Sequence, residues 1–466
     1  MTASSRRRAP AGLCLALAAL GAQAEPMNFD AAWQRMQTGS DKLAAARSAV
    51  ESKQLQGRGF KGLGGPTVSL TGAAYAYNAN LTVNLDAVNQ RLLQLDQRLP
   101  IPLQNLPIPL PVPQFPSRYT FNHHDTGNTS SVSAVWPIYA GGVSDAVRGF
   151  VTAQTSEAQA DADQAGHELT TLLVQRYFGA QLAARAAALR EAALQTIEQH
   201  DAAAQKMLDA GVISKLERLQ ARSALEEARR NAQKARDDAE LSAVALTRTV
   251  KADERVSPTS PLFVLTQPVE PLQHFVEAAL ARHPGLAKVA AKKAEAEQLH
   301  AGQEALRRPQ VFAFGQRELK STNADWVAGV GVRWTLWDAI DRNALEASSL
   351  KQVEQAERIG AQARSDIALL VEKNWRALDQ ARRQYLAMQP GIALADEVLR
   401  LRVAGLREGT STTLDLIDAR VNLAKVQTER AQAAHDYAVA LANLLESCGL
   451  SEEFSNYMAR ADVKVE

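Results

Sequence analysis

Apolar and polar positions alternate along this chain with two different periods. Over short runs the period is two. Val68, Leu70, Gly72 and Ala74 alternate with Ser69, Thr71 and Ala73, and Trp326, Ala328, Val330, Val332 and Trp334 alternate with Val327, Gly329, Gly331 and Arg333. One face is apolar and the other is small or polar with one arginine, which predicts strands wetted on one side only. Elsewhere two stretches run almost without a helix breaker, Ser144 to Ala210 and Ile340 to Glu408, the second interrupted at Pro390-Gly391. At 1.5 Å per residue each spans roughly 100 Å if continuous. Each turns at a glycine, Gly211 or Gly409, and returns as a shorter helix. Ser214-x-x-Glu217 and Thr412-x-x-Asp415 are capping boxes for the two returns. Leu414, Ile417, Val421 and Ala424 then follow the spacing of a coiled-coil seam.

The pattern is duplicated. Trp136 and Trp334 each close an alternating run and lie 198 positions apart; Gly211 and Gly409 have the same offset, as do Glu217 and Asp415, and Arg222 and Arg420. A constant offset over this stretch means no net insertion within it, and the period organises the chain into two repeats. The first is expected over residues 25–267, with strands at about 66–78 and 128–140 and helices at 144–210 and 212–252. The second covers 268–466, with strands at about 309–321 and 325–337 and helices at 339–408 and 412–447. Between its strands the first repeat carries about 45 extra residues, including the proline-dense run from Leu99 to Pro113. Proline at that density disfavours helix and sheet, so residues 79–127 are expected to form a loop. Trp326 and Trp334 share one face and at ~3.3 Å per residue lie roughly 26 Å apart. That matches the two aromatic girdles bordering a lipid-facing band, with Trp136 as the first-repeat counterpart. Four strands cannot close a transmembrane barrel, so a membrane reading needs several chains.

Composition narrows the function. The 466 residues carry 52 Lys+Arg against 51 Asp+Glu, which argues against nucleic acid as the main ligand. Only 5% of residues are aromatic, which suits long helices packed through small side chains. Arg6-Arg7-Arg8, an apolar run from Ala9 to Gly21 and Ala22-Gln23-Ala24 form a signal peptide over residues 1–24. Its removal leaves Cys448 as the single cysteine, read as a buried apolar residue. No nucleophile with a positioned base and no metal-ligand spacing is visible; His123-His124-Asp125 beside a long loop reads as a solvated doublet. No enzymatic activity, cofactor or metal is expected.

Together these features resemble the TolC-type outer-membrane efflux and secretion channels. The most specific stretch is Gly405 to Leu423, similar to the family's second-repeat turn with its L-D-x-L-D-A core. The run from Trp136 to Gly142 looks like the family's strand-to-helix passage, whereas Trp334 to Ile340 lacks its Pro and Gly pair. The resemblance covers essentially the whole mature chain. It implies a mainly α fold with a small β part: a homotrimer whose duplicated strand-strand-helix-helix repeats build a 12-stranded outer-membrane β-barrel continued by a periplasmic α-helical barrel. It implies a passive exit duct for small molecules, docked to a periplasmic adaptor and an inner-membrane RND, ABC or MFS transporter. Type I protein secretion is the alternative within the family, and a soluble periplasmic coiled-coil adaptor the alternative outside it.

The resemblance also names residues. The family's entrance carries two rings of aspartates, which fall on Asp415 and Asp418. A first-repeat acid falls on Glu217, but its family partner, a tyrosine, is Leu406 here, and a gating arginine is Ser411. A closing bond of the family's form therefore has no partners. Asp415 is also explained as a capping-box acid, whereas Asp418, one turn further in, has no capping duty. Arg222 and Arg420 are expected to form ion pairs near the turns.

Overall fold

The computed structural model describes residues 25–99, 102–103, 111–319, 325–337 and 339–465. The signal peptide and most of the proline-dense run, residues 100–101 and 104–110, lie outside the described residues. In chain order the elements are β1 (Glu25–Met27), α1 (Phe29–Gly39), α2 (Asp41–Gly59), β2 (Thr67–Asn84), α3 (Asp86–Gln97), β3 (Arg118–Tyr139), α4 (Val143–Asp209), α5 (Lys215–Thr249), β4 (Val256–Pro258), β5 (Leu262–Val264), α6 (Leu272–Arg282), α7 (Pro284–Ala305), β6 (Gln310–Glu318), β7 (Trp326–Arg333), α8 (Arg342–Ala387), α9 (Gln389–Glu408), α10 (Thr413–Cys448), α11 (Phe454–Ala459) and β8 (Val463–Val465). They fall into a sheet unit, residues 62–146 and 301–345, and a helical unit made of the rest. Each of the two segments expected as repeats, 25–267 and 268–466, contributes to both units.

The sheet unit is built on one four-stranded antiparallel sheet in the order β2-β3-β6-β7. The register puts Val68 and Leu70 opposite Ala134 and Val132, Trp136 opposite Ala313, and Ala313 opposite Val330. Because facing residues share a side, these side chains and Trp326 form one apolar surface. Val68, Leu70, Trp136, Trp326, Val330 and Val332 are all exposed on it. The other side carries Ser69 and Ser133, whose hydroxyls hydrogen-bond at 2.7 Å, and Arg333, which donates to Gln310 at 2.8 Å. Phe312 and Phe314 also lie there, over Gly331 and Gly329.

Both hairpins differ from expectation in their bounds. The first hairpin does not stop near residues 78 and 128; β2 continues to Asn84 and β3 begins at Arg118. Leu81 faces Phe121 and Val83 faces Tyr119, β-branched, aliphatic and aromatic pairs that favour a ladder. The expected loop of 79–127 also contains α3, tied by Asn89, which donates to the Phe115 carbonyl and accepts from the Phe115 amide. In the second hairpin β7 ends at Arg333, so Trp334 lies one residue beyond it. The Trp334 indole donates to the Arg307 carbonyl at 3.1 Å.

In the helical unit α4 runs for 67 residues without interruption. Its counterpart is two helices, α8 and α9, parted at Met388, with Pro390 in the first turn of α9. Proline fits a first turn because its missing N–H has no partner there in any case. The core is richer in rings than the composition suggests. Phe29, Tyr177, Phe178, Phe263, Tyr437 and Phe454 form a contiguous cluster in which Phe178 contacts four other rings. The Tyr177 hydroxyl donates to the Met27 carbonyl at 2.7 Å and accepts from the Thr259 and Ser260 amides. These contacts bring β1 to the segment between β4 and β5. The alanine packing expected for the helices is found along α10, where Ala431, Ala434, Ala438 and Ala442 are buried. The pairs β1–β4 and β5–β8 are three-residue strands, too short for a periodicity to register.

Candidate functional site

The two helix turns hold most of the residues singled out from sequence, and they are built alike. After α4, Gly211 has φ +72°, its amide bonds to the Leu208 carbonyl, and the Val212 amide reaches the Met207 carbonyl at 2.8 Å. After α9, Gly409 has φ +75°, its amide bonds to the Leu406 carbonyl, and the Thr410 amide reaches the Gly405 carbonyl at 2.8 Å. Both are Schellman closures, which need the left-handed backbone that glycine supplies. Both capping boxes are formed. Glu217 accepts from the Ser214 amide at 2.7 Å while Ser214 Oγ accepts from the Glu217 amide, and Asp415 with Thr412 repeats the arrangement at 2.9 and 3.1 Å.

The side chains that brace the turns differ. In the first, Arg218 of α5 grips Asp201 of α4 with two nitrogens, at 2.6 and 3.3 Å, and its Nε donates to Gln205 at 2.7 Å. This pair is largely buried, with side chains 11% and 16% exposed. In the second, Arg402 of α9 lies 3.5 Å from Asp415, both groups more than a third exposed. Position 218 of the first repeat corresponds to Leu416 in the second, and 402 corresponds to Ala204 in the first. Neither brace has a counterpart. Hydrogen bonds from Thr412, then the Arg402 charge, hold the Asp415 carboxyl below its ordinary range; the Ser214 bonds do the same for Glu217.

Between the turns lies a cleft of about 330 Å³. Glu217, Leu406, Gly409 and Ser411 line it with Val212 and Ile213, so the acid, and the leucine standing where the family's tyrosine does, meet in one place. Asp418 lies outside this cleft. It is exposed, and among the described residues no hydrogen bond or ion pair engages it. The ion pairs expected of Arg222 and Arg420 are not formed among the described residues. Arg222 is exposed. Arg420 has a buried Nε without a hydrogen-bond partner. Burial, then the Arg420 charge, pushes the pKa of His200 on α4 below the ordinary histidine value.

Of the expected seam of Leu414, Ile417, Val421 and Ala424, Ile417 joins the first hairpin's cluster of Leu194, Ile197, Ala221 and Leu225. The contacts of α10 with Ala395 and Leu399 of α9 are made instead by Leu416, Ala419 and Leu423, outside that spacing. Val421 is exposed. Sequence reasoning missed Arg218, Asp201, Arg402 and His200, because each acts across helices at no fixed spacing. Gly405 belongs with them, since only the folded turn shows that a side-chain carbon there would sit 2.5 Å from Ser411 Oγ.

Comparison with known proteins agrees with this architecture. The family profile described as "Outer membrane efflux protein" matches residues 112–250 and 275–450. The outer membrane efflux protein BepC of Brucella suis biovar 1 (strain 1330) is 29% identical over 274 residues, 56% of this chain and 59% of that protein. The match therefore spans less than two thirds of that relative's length. CusC, whose structures concern folding and transmembrane channel formation, superposes with a TM-score of 0.71 at 14% identity, covering 90% of this chain and 91% of CusC. The Campylobacter jejuni outer membrane channel CmeC gives 0.70 at 14% identity, covering 92% and 88%. At such identities the likeness is one of fold. The profile match takes in more than half of the chain, and the chain belongs to the outer membrane efflux protein family, as a non-enzymatic protein of the outer membrane with a periplasmic helical part.

Proposed function

We propose that this chain is the outer-membrane duct of a tripartite efflux pump, passing small molecules through a trimeric channel. One observation carries the reading: the four-stranded sheet has an exposed apolar face through Val68, Leu70, Trp136, Trp326, Val330 and Val332, an opposite face on which Ser69, Ser133 and Arg333 stand among Phe312 and Phe314, and two edges, β2 and β7, that no other strand pairs among the described residues. Unpaired strand edges in hydrocarbon leave backbone groups unsatisfied at several kcal/mol each. The edges are therefore satisfied by other copies, and three copies of four strands give the 12-stranded barrel. The apolar face meets lipid, with Trp136, Trp326 and Trp334 in or near its girdles.

The helix turns are the inner mouth, where an adaptor joins the duct to an energised inner-membrane transporter. Asp415 and Asp418 are three residues apart on one helix face. Three copies place six carboxylates around the mouth, with Glu217 beside them, and such a ring draws cations, multivalent ones most strongly. Asp418 is the sharper probe because no hydrogen bond or ion pair engages its carboxylate among the described residues.

Native mass measurement of the detergent-extracted protein and single-channel recording in planar bilayers test this. Trimers that conduct, prefer cations and are blocked by trivalent cations are expected. Asp418→Ala is expected to weaken the block without loosening the trimer. A chain released from membranes as a monomer by carbonate alone defeats the channel. Block undiminished in the Asp415→Ala/Asp418→Ala double variant removes the ring from the constriction.

A further inference from the structure

The apolar side of the β2–β3 ribbon changes partway along it. From Thr67↔Val135 to Asn84↔Arg118 the two strands pair with no register shift, so every second residue keeps its side throughout. Near the start of β2 the side shared with Trp136 and Trp326 is apolar, through Val68 and Leu70, and the reverse side carries Ser69, Thr71, Ser131 and Ser133. Beyond Ala74 the two exchange character. The side that was apolar now carries Asn78, Asn80, Thr82, Asn84, Asn122 and His124. The reverse side carries Tyr75, Tyr77, Leu81, Val83, Tyr119 and Phe121, each between 42% and 63% exposed.

This exchange falls where the ribbon leaves its neighbour. β6 pairs with β3 from Tyr139 only as far as Ser131, and β2 has 18 residues, whereas a membrane-spanning strand needs about 9–11. The part past Ala73 is a two-stranded ribbon roughly 35 Å long, beyond the lipid band. Two strands alone are marginal in water, and a contiguous apolar patch marks a binding surface. Resting on the trimeric channel proposed above, the side that carries the serines near the membrane faces the pore, and the same side of the extension faces the pore axis. What stands across that axis is the same surface on the other copies. We infer that the three ribbon extensions pack through Tyr75, Tyr77, Leu81, Val83, Tyr119 and Phe121 and form an apolar constriction at the outer mouth, beyond the membrane. Such a ring resists wetting and narrows passage without any charge.

Single-cysteine variants on the two faces of β2 test this in the membrane-embedded full chain, since the native Cys448 is buried. Leu81→Cys is expected to give crosslinked dimers with a short bis-maleimide, and its neighbour Thr82→Cys, on the opposite side, is not. The triple variant Tyr77→Ser/Leu81→Ser/Phe121→Ser, whose positions are exposed in the single chain, is expected to keep the trimer and to raise single-channel conductance at least twofold. Crosslinking through Thr82→Cys instead, or trimers that neither crosslink through Leu81→Cys nor gain conductance, overturn the constriction and leave the trimer standing. A monomeric native mass overturns the channel reading itself, and the constriction with it.

Discussion

The two helix turns share a backbone and differ in what braces it. Each closes on a glycine with φ near +70° and starts its return helix with a complete capping box. The first is then clamped by a forked arginine contact, Arg218 on Asp201 with Gln205 on the remaining nitrogen, nearly enclosed by α4 and α5. The second has only the exposed Arg402–Asp415 pair, and its descending arm is parted at Met388. The two turns thus share the elements that make a turn and differ in those that brace it. Forked Arg–carboxylate contacts withdrawn from water resist opening, whereas exposed pairs contribute ~0–1 kcal/mol. The second turn is the looser one.

Local opening under native conditions measures that difference, because trypsin sites lie at both turns: Lys206 and Lys215 at the first, Arg407 at the second, all exposed. Cleavage after Arg407 is expected to be the faster. The largest change is expected from Arg218→Ala, which strands Asp201 in a largely enclosed site at a cost of roughly 3 kcal/mol, about a hundredfold in opening at Lys206 and Lys215. Arg402→Ala is expected to change cleavage at Arg407 by less than about fivefold. Equal effects at the two turns would remove the asymmetry.

This asymmetry was not legible in the sequence, whereas the turns were. Gly211 with Ser214 and Glu217, and Gly409 with Thr412 and Asp415, announce themselves because capping is local and its spacing fixed. The hairpins of the sheet were legible for the same reason, through alternation of period two. Arg218, Asp201 and Arg402 were not, because a contact between neighbouring helices depends on which faces meet. The expected seam fails in the same way: Ile417 packs on the first hairpin, Val421 is exposed, and the contact with α9 is made by Leu416, the residue next to Ile417. The far reach of β2 was obscured by the dense prolines nearby, although Leu81, Val83, Tyr119 and Phe121 favour strand.

Gly405 sharpens the comparison next, because the first repeat has Met207 at that position. A methyl group at 405 would meet Ser411 Oγ at 2.5 Å and Thr410 Oγ1 at 3.0 Å. Gly405→Ala is expected to loosen the second turn by about 1–2 kcal/mol, and Ser411→Gly in the same chain to restore part of the loss. Absence of rescue would mean that the turn yields elsewhere. Below this come the shared caps. Ser214→Ala and Thr412→Ala are each expected to cost about 1 kcal/mol, read as a rise in cleavage of similar size at the two turns. A larger loss in one would show that its cap also carries the brace.

The smallest expected effect concerns pH and joins the two hairpins. His200 on α4 lies beside Arg420 on α10, and burial, then that positive charge, favours its neutral imidazole. With its folded pKa depressed, the group contributes stability that is complete above the unfolded value of about 6.5 and is lost as pH falls through the folded value. The Glu217 and Asp415 carboxyls are also depressed, so their contribution is complete above about pH 4.5 and is lost only at lower pH. The histidine's loss therefore begins at higher pH than that of the carboxyls. Cleavage at Lys206 and Lys215, normalised to an unstructured peptide bearing the same site, is expected to rise a few-fold between pH 7.5 and 5. His200→Gln is expected to flatten that rise, since glutamine does not take up a proton. If the rise survives in His200→Gln, another group governs the contact, and the first hairpin is indifferent to protonation of this histidine.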